Sequence, residues 1–81
     1  TRKESWESMK LLVSKRYIAK VPGNYLEAVM NGINEVWPEA EMRYSKKSNG
    51  WCTFYKNGKK VWSCNSTFAM AWFEIDVLEK D

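Results

Sequence analysis

Apolar and polar positions alternate most regularly between Asn49 and Asn65, NGWCTFYKNGKKVWSCN, where two runs of aromatic and β-branched residues flank Asn57-Gly58. A type I′ turn needs φ > 0 at both central positions, which Asn tolerates and Gly adopts freely, so the stretch predicts a hairpin. A two-residue loop pairs Lys56 with Lys59, Tyr55 with Lys60, Phe54 with Val61, Thr53 with Trp62 and Cys52 with Ser63. Alternation then sets Trp51, Thr53, Tyr55, Lys60, Trp62 and Cys64 on one face. Cys52, Phe54, Lys56, Lys59, Val61 and Ser63 share the other, so both faces carry apolar groups.

Upstream the period changes. Asn24, with Glu27 three residues on, resembles a capping box. At about 100° per residue, Tyr25, Leu26, Val29, Met30, Ile33, Val36 and Trp37 fall on one arc. Glu27, Asn31, Asn34 and Glu35 fall on the opposite arc, so the spacing predicts a helix near 24–37 with one buried face, ended by Pro38. Glu41 to Lys46 reads as a strand with Met42 and Tyr44 on one side, and Lys47-Ser48-Asn49-Gly50 as a polar loop into the hairpin.

After the hairpin, Asn65, Ser66 or Thr67 can cap a second helix near 67–79. Its pattern is unusual. Phe68, Ala71, Trp72, Ile75 and Leu78 form one stripe, while Met70, Phe73 and Val77 form a second on the other side. A helix apolar nearly all round is either buried between layers or offered to another chain.

At the other end, Trp6, Met9, Val13 and Tyr17 fall at helical spacing, whereas Tyr17 to Val21 is partly β-branched and runs into Pro22-Gly23. A helix near 4–13 followed by a strand near 15–21 is the favoured reading; a continuous strand from Met9 to Val21 is the alternative. Met9-Lys10 also resembles a natural start, which would make residues 1–8 an artificial or frayed extension. These elements give an α+β class, one small domain over 1–81 in the order (α)βαβββα. Its centre is a three-stranded antiparallel meander near 40–46, 51–56 and 59–64, with helices packed on it.

Charge sharpens the picture more than composition does. The net charge of +3 is segregated: residues 22–41 hold four acids and no base, and residues 42–73 hold six bases and no acid. The strands are expected to be basic and the helices acidic, a pattern that bears on partners rather than on fold. No apolar run approaches the ~20 residues of a membrane span, and no signal-peptide pattern appears, so a soluble cytoplasmic protein is expected.

With no histidine, the commonest general base is missing, and no phosphate loop or metal-carboxylate cluster is visible. No enzyme, metal or cofactor is therefore expected. The hairpin register puts Cys52 and Cys64 on opposite faces, where they cannot bridge; a slip of one residue would set them directly across from each other.

The candidate binding residues are Arg43, Lys46, Lys47, Trp51, Tyr55, Lys56, Lys59, Lys60 and Trp62, a basic sheet surface with interleaved aromatic rings. The simpler alternative makes the Trp51, Tyr55 and Trp62 face the inward one, packed on both helices, with Cys52, Phe54 and Val61 facing outward. Met70, Phe73 and Val77 are candidates for self-association. Lys46-Lys47, Gly50-Trp51, Asn57-Gly58-Lys59-Lys60 and Ala71-Trp72 together resemble the sheet-plus-helix modules of plant AP2 domains and phage integrase arm-binding domains, over residues 43–73. The resemblance implies a sheet laid in the DNA major groove. Where those modules read bases with strand arginines, this chain has Thr53, Tyr55 and Trp62. The α-β-β-β-α order is also similar to a double-stranded-RNA-binding domain, although Ser66-Thr67-Phe68-Ala69-Met70 stands where that family has its lysine signature.

Two function classes follow. The first is a nucleic-acid-binding module, for DNA before RNA. The second is a phage- or plasmid-type inhibitor or adaptor that binds another protein, with a homodimer as one form.

Overall fold

The computed structural model describes residues 11–13, 15–46 and 50–78. Five antiparallel strands form one sheet: β1 (Arg16–Lys20), β2 (Glu39–Ser45), β3 (Trp51–Lys56), β4 (Lys59–Asn65) and β5 (Glu74–Val77). The strands lie in the order β4-β3-β2-β1-β5. Helix α1 (Tyr25–Met30) joins β1 to β2, and α2 (Ser66–Trp72) carries the chain from one edge of the sheet to the other. The class is α+β. The element order is βαβββαβ, so the meander is part of a larger sheet. The expected N-terminal helix near 4–13 lies largely outside the described residues.

The hairpin closes as its turn chemistry requires, with Asn57 at φ 54° and Gly58 at φ 79°. Beyond the turn the register departs from simple alternation. Tyr55 still faces Lys60, but Phe54 faces Trp62, Thr53 faces Ser63 and Cys52 faces Cys64, leaving Val61 as a bulge. The extra residue moves Trp62 and Cys64 to the side of Phe54 and Cys52. Ser63 and Asn65 then join Thr53 and Trp51 on the other side. A one-residue shift exchanges the faces of a strand, and burying an indole outweighs one lost ladder position.

That apolar side is the core. Phe54 meets Phe73 at 5.0 Å and Trp62 at 5.5 Å between ring centroids, and Trp62 also meets Phe68 at 6.0 Å. Tyr17 and Ala19 of β1, Met42 of β2, Ile75 of β5 and Ala69 of α2 complete the layer, joined by Ala28, Ile33 and Val36 from the segment between β1 and β2. Both helices therefore cover one face of the sheet.

Helix α1 is much shorter than its apolar periodicity predicts, and Gly32 is the reason. Asn24 caps the start, its side chain accepting from the Glu27 amide at 2.8 Å. At the other end Gly32 adopts φ 75°, with its amide donating to the Val29 carbonyl and the Ile33 amide to the Ala28 carbonyl. These are the paired bonds of a Schellman stop. Ile33 and Val36 are still buried, but from the turns that follow. Tyr25, Leu26, Val29 and Met30 are left exposed.

The second helix is likewise cut short. Phe73 has extended backbone, and Phe73, Ile75 and Val77 are then a period-two set facing the core from β5. This resolves the two-sided apolar pattern. Its second stripe belongs in part to a strand, and Phe73 is fully buried rather than offered to a second chain.

Gly50 closes the approach to β3 at φ 87°. A Cβ there would lie 2.8 Å from Ser66 Oγ and 3.1 Å from Tyr44 Oη. Gly50→Ala is expected to cost about 2 kcal/mol through backbone strain and crowding, read as a lower urea midpoint with unchanged slope.

Candidate binding face

The face of the sheet away from the helices is built by the alternate residues of all five strands. Tyr55 of β3 stands in a row with Lys60, Glu41, Ile18 and Asp76. The next row is Ser63, Thr53, Arg43 and Arg16, and the last is Asn65, Trp51 and Ser45. On the opposite side of the Tyr55 row come Glu39, Lys20 and Glu74.

These rows sort the charge. All four acids, Glu39, Glu41, Glu74 and Asp76, fall in the Tyr55 row or beyond it. Glu74 and Asp76 are strand residues here, not helical ones. The Trp51 end holds Arg16, Arg43 and, just past β2, the exposed Lys46, with no acid in either row. A depression of about 410 Å³ lined by Ile18, Glu39, Glu41, Tyr55, Lys56 and Asn57 lies at the acidic end, where two carboxylates outnumber one ammonium and disfavour phosphate.

Arg16 and Arg43 are direct cross-strand partners. Like charges so placed destabilise a sheet by themselves. Glu41 compensates: its Oε2 accepts from Arg43 Nε at 2.9 Å and lies 3.8 Å from Arg16 Nη1. The hydrogen bond and charge of Glu41 hold the Arg43 guanidinium more firmly protonated than usual. Arg43 also sits 5.0 Å over the Tyr55 ring, a cation–π contact that covers one side of that ring. Trp51, by contrast, is 37% exposed. Among the described residues it makes no aromatic ring contact.

The residues expected to share one basic, aromatic surface are thus divided. Trp51, Tyr55, Arg43 and Lys60 stand on the open face. Trp62 faces the core, a correction due to the bulge at Val61. Lys56 donates to the Trp37 carbonyl at 2.6 Å and is committed to joining β3 to the loop before β2. Lys59 is exposed at the hairpin tip, and Lys47 lies outside the described residues. Of the proposed self-association group, Phe73 is fully buried, while Met70 and Val77 pack partly buried against the core. Arg16 and Thr53 were not singled out in advance. The alternation of Arg16 with Ile18 and Lys20 could have indicated the first.

Cys52 and Cys64 are free thiols facing each other on the core side. Burial pushes Cys52 up from 9.0 to about 11 and Cys64 to about 12, the latter also raised by its neighbour. Both should resist iodoacetamide at pH 8 until urea is added. The unfolded chain loses these protons above about pH 9 while the folded protein keeps them. Stability should therefore be fully present below pH 9 and decline as pH rises towards 11 or 12, measured by urea titration.

No helix among the described residues is long and apolar enough to cross a membrane, and no described group of His, Cys, Asp and Glu has metal-site geometry. Comparison with known families, with characterised proteins and with solved structures finds no match to this chain.

Proposed function

We propose that this domain binds single-stranded nucleic acid through the Trp51 end of its open sheet face. The observation that supports this reading is the exposed Trp51 indole at the end of that face whose rows carry Arg16 and Arg43, two cations that share the single carboxylate of Glu41, with Lys46 just past β2. A base stacked on an aromatic side chain contributes ~1–3 kcal/mol and tolerates any sequence. The surrounding cations attract phosphates and release counterions, without reading bases. Stacking needs an unpaired base, so a single strand suits the indole better than a duplex.

With about three phosphates neutralised, affinity should fall roughly 20-fold between 50 and 200 mM salt. Fluorescence anisotropy of labelled twelve-residue oligo-dT and oligo-U measures this, with a duplex of equal length for comparison. Preference for the duplex would favour the major-groove mode implied by the AP2-like resemblance. Failure of all three to bind at 50 mM salt would remove the proposal. The second function class, a module that binds another protein, draws on a different surface, the exposed side of α1.

A further inference from the structure

We infer that the exposed side of α1 is a docking ridge for an amphipathic helix of a partner protein, one whose apolar stripe is bordered by lysine and arginine. Ala28 alone anchors α1 in the core. At 100° per residue the direction opposite Ala28 falls between Leu26 and Met30, which are 68% and 79% exposed. Val29 and Tyr25 lie on one shoulder of this ridge, at 42% and 53% exposure, and Trp37 extends it by meeting Tyr25 edge-on at 5.4 Å. Positions 26, 29 and 30 have the i, i+3, i+4 spacing of helix–helix anchors. Apolar groups clustered in this way mark contact surfaces, unlike single exposed leucines.

Charge selects the occupant. From Pro22 to Pro38 the chain holds Glu27 and Glu35, both exposed, and no lysine or arginine. Lys56 reaches this loop from β3 but donates to the Trp37 carbonyl. An anionic membrane surface or a nucleic acid would be repelled. A two-fold contact with a second copy would bring Glu27 close to its own counterpart. A helix with basic flanks satisfies both the ridge and its surroundings. Because α1 packs on the core side of the sheet, this site is independent of the open face.

The test titrates the full chain with an eighteen-residue peptide of leucine and lysine at amphipathic helical spacing, and with its counterpart carrying glutamate for lysine. Amide resonances are followed by NMR. The lysine peptide should shift residues 24–37, with affinity falling tenfold or more in Leu26→Asp and in Met30→Asp, and severalfold in Glu27→Lys. The glutamate peptide should leave the spectrum unchanged. Both leucine and methionine side chains are exposed, so circular dichroism should confirm that these variants fold. Equal binding of both peptides, no binding of the lysine peptide, or shifts confined to the open sheet face would overturn the proposal. Concentration-dependent shifts of residues 24–37 without peptide would also overturn it, by assigning the ridge to a second copy.

Discussion

Phe73→Asp is expected to unfold this domain rather than to divide a dimer. Phe73 is fully buried, 5.0 Å from Phe54 and 6.1 Å from Trp62 between ring centroids, at the point where α2 gives way to β5. Removing such a ring costs ~3–5 kcal/mol through lost transfer energy and the cavity left behind. Burying a carboxylate among those rings adds a desolvation cost of similar order. Natural stability of ~0.05–0.15 kcal/mol per residue gives a chain of this length only ~4–12 kcal/mol in total. The variant should therefore lose its near-ultraviolet circular dichroism and its cooperative urea transition. Phe68→Ala, at a ring 39% exposed, should keep both. A folded Phe73→Asp protein of lower mass in solution would contradict the packing described here.

The second large effect concerns binding. Trp51→Ala should weaken oligonucleotide affinity by about 5- to 150-fold, the equivalent of one lost base stack. Arg43→Glu should weaken it at least as much and flatten the salt dependence, because it removes one cation and leaves an extra anion beside Glu41. Neither change touches the core, and both should keep the unfolding free energy from urea titration within about 1 kcal/mol of the parent. Lys20→Glu, between Glu39 and Glu74 at the acidic end, should change affinity little. If Lys20→Glu loses as much affinity as Arg43→Glu while Trp51→Ala loses none, the interaction is a net-charge effect and not a site.

What could be read in advance follows from which signals are local. The Asn57-Gly58 turn and the strands on either side of it are local chemistry, as are the capping asparagines Asn24 and Asn65, each accepting from the amide three residues on. Three features were not legible, each because a tertiary demand or a single residue overrode a period. Gly32 stops α1 in the middle of a run whose apolar positions continue to Trp37. Phe73 begins a strand inside a run whose spacing also fits a helix. The bulge at Val61 depends on both strands, since only the pairing of Phe54 with Trp62 rewards it. The candidate face inherits these outcomes. Trp51, Tyr55 and Lys60 share a side as the alternation sets, but that side is the open one and not the one packed on the helices. Trp62 leaves it, and Arg43 and Arg16 join it through strand pairing.

The central claim is that bases and phosphates meet the Trp51 end of the open face. NMR titration of the protein with oligo-dT at low salt, following indole and backbone N–H signals together, tests it most directly. The account predicts shifts at the Trp51 indole and at the amides of Arg16, Arg43 and Thr53, with the Trp37 and Trp62 indoles unmoved. Shifts centred on α1 and Trp37, with the Trp51 indole unchanged at saturation, would contradict it.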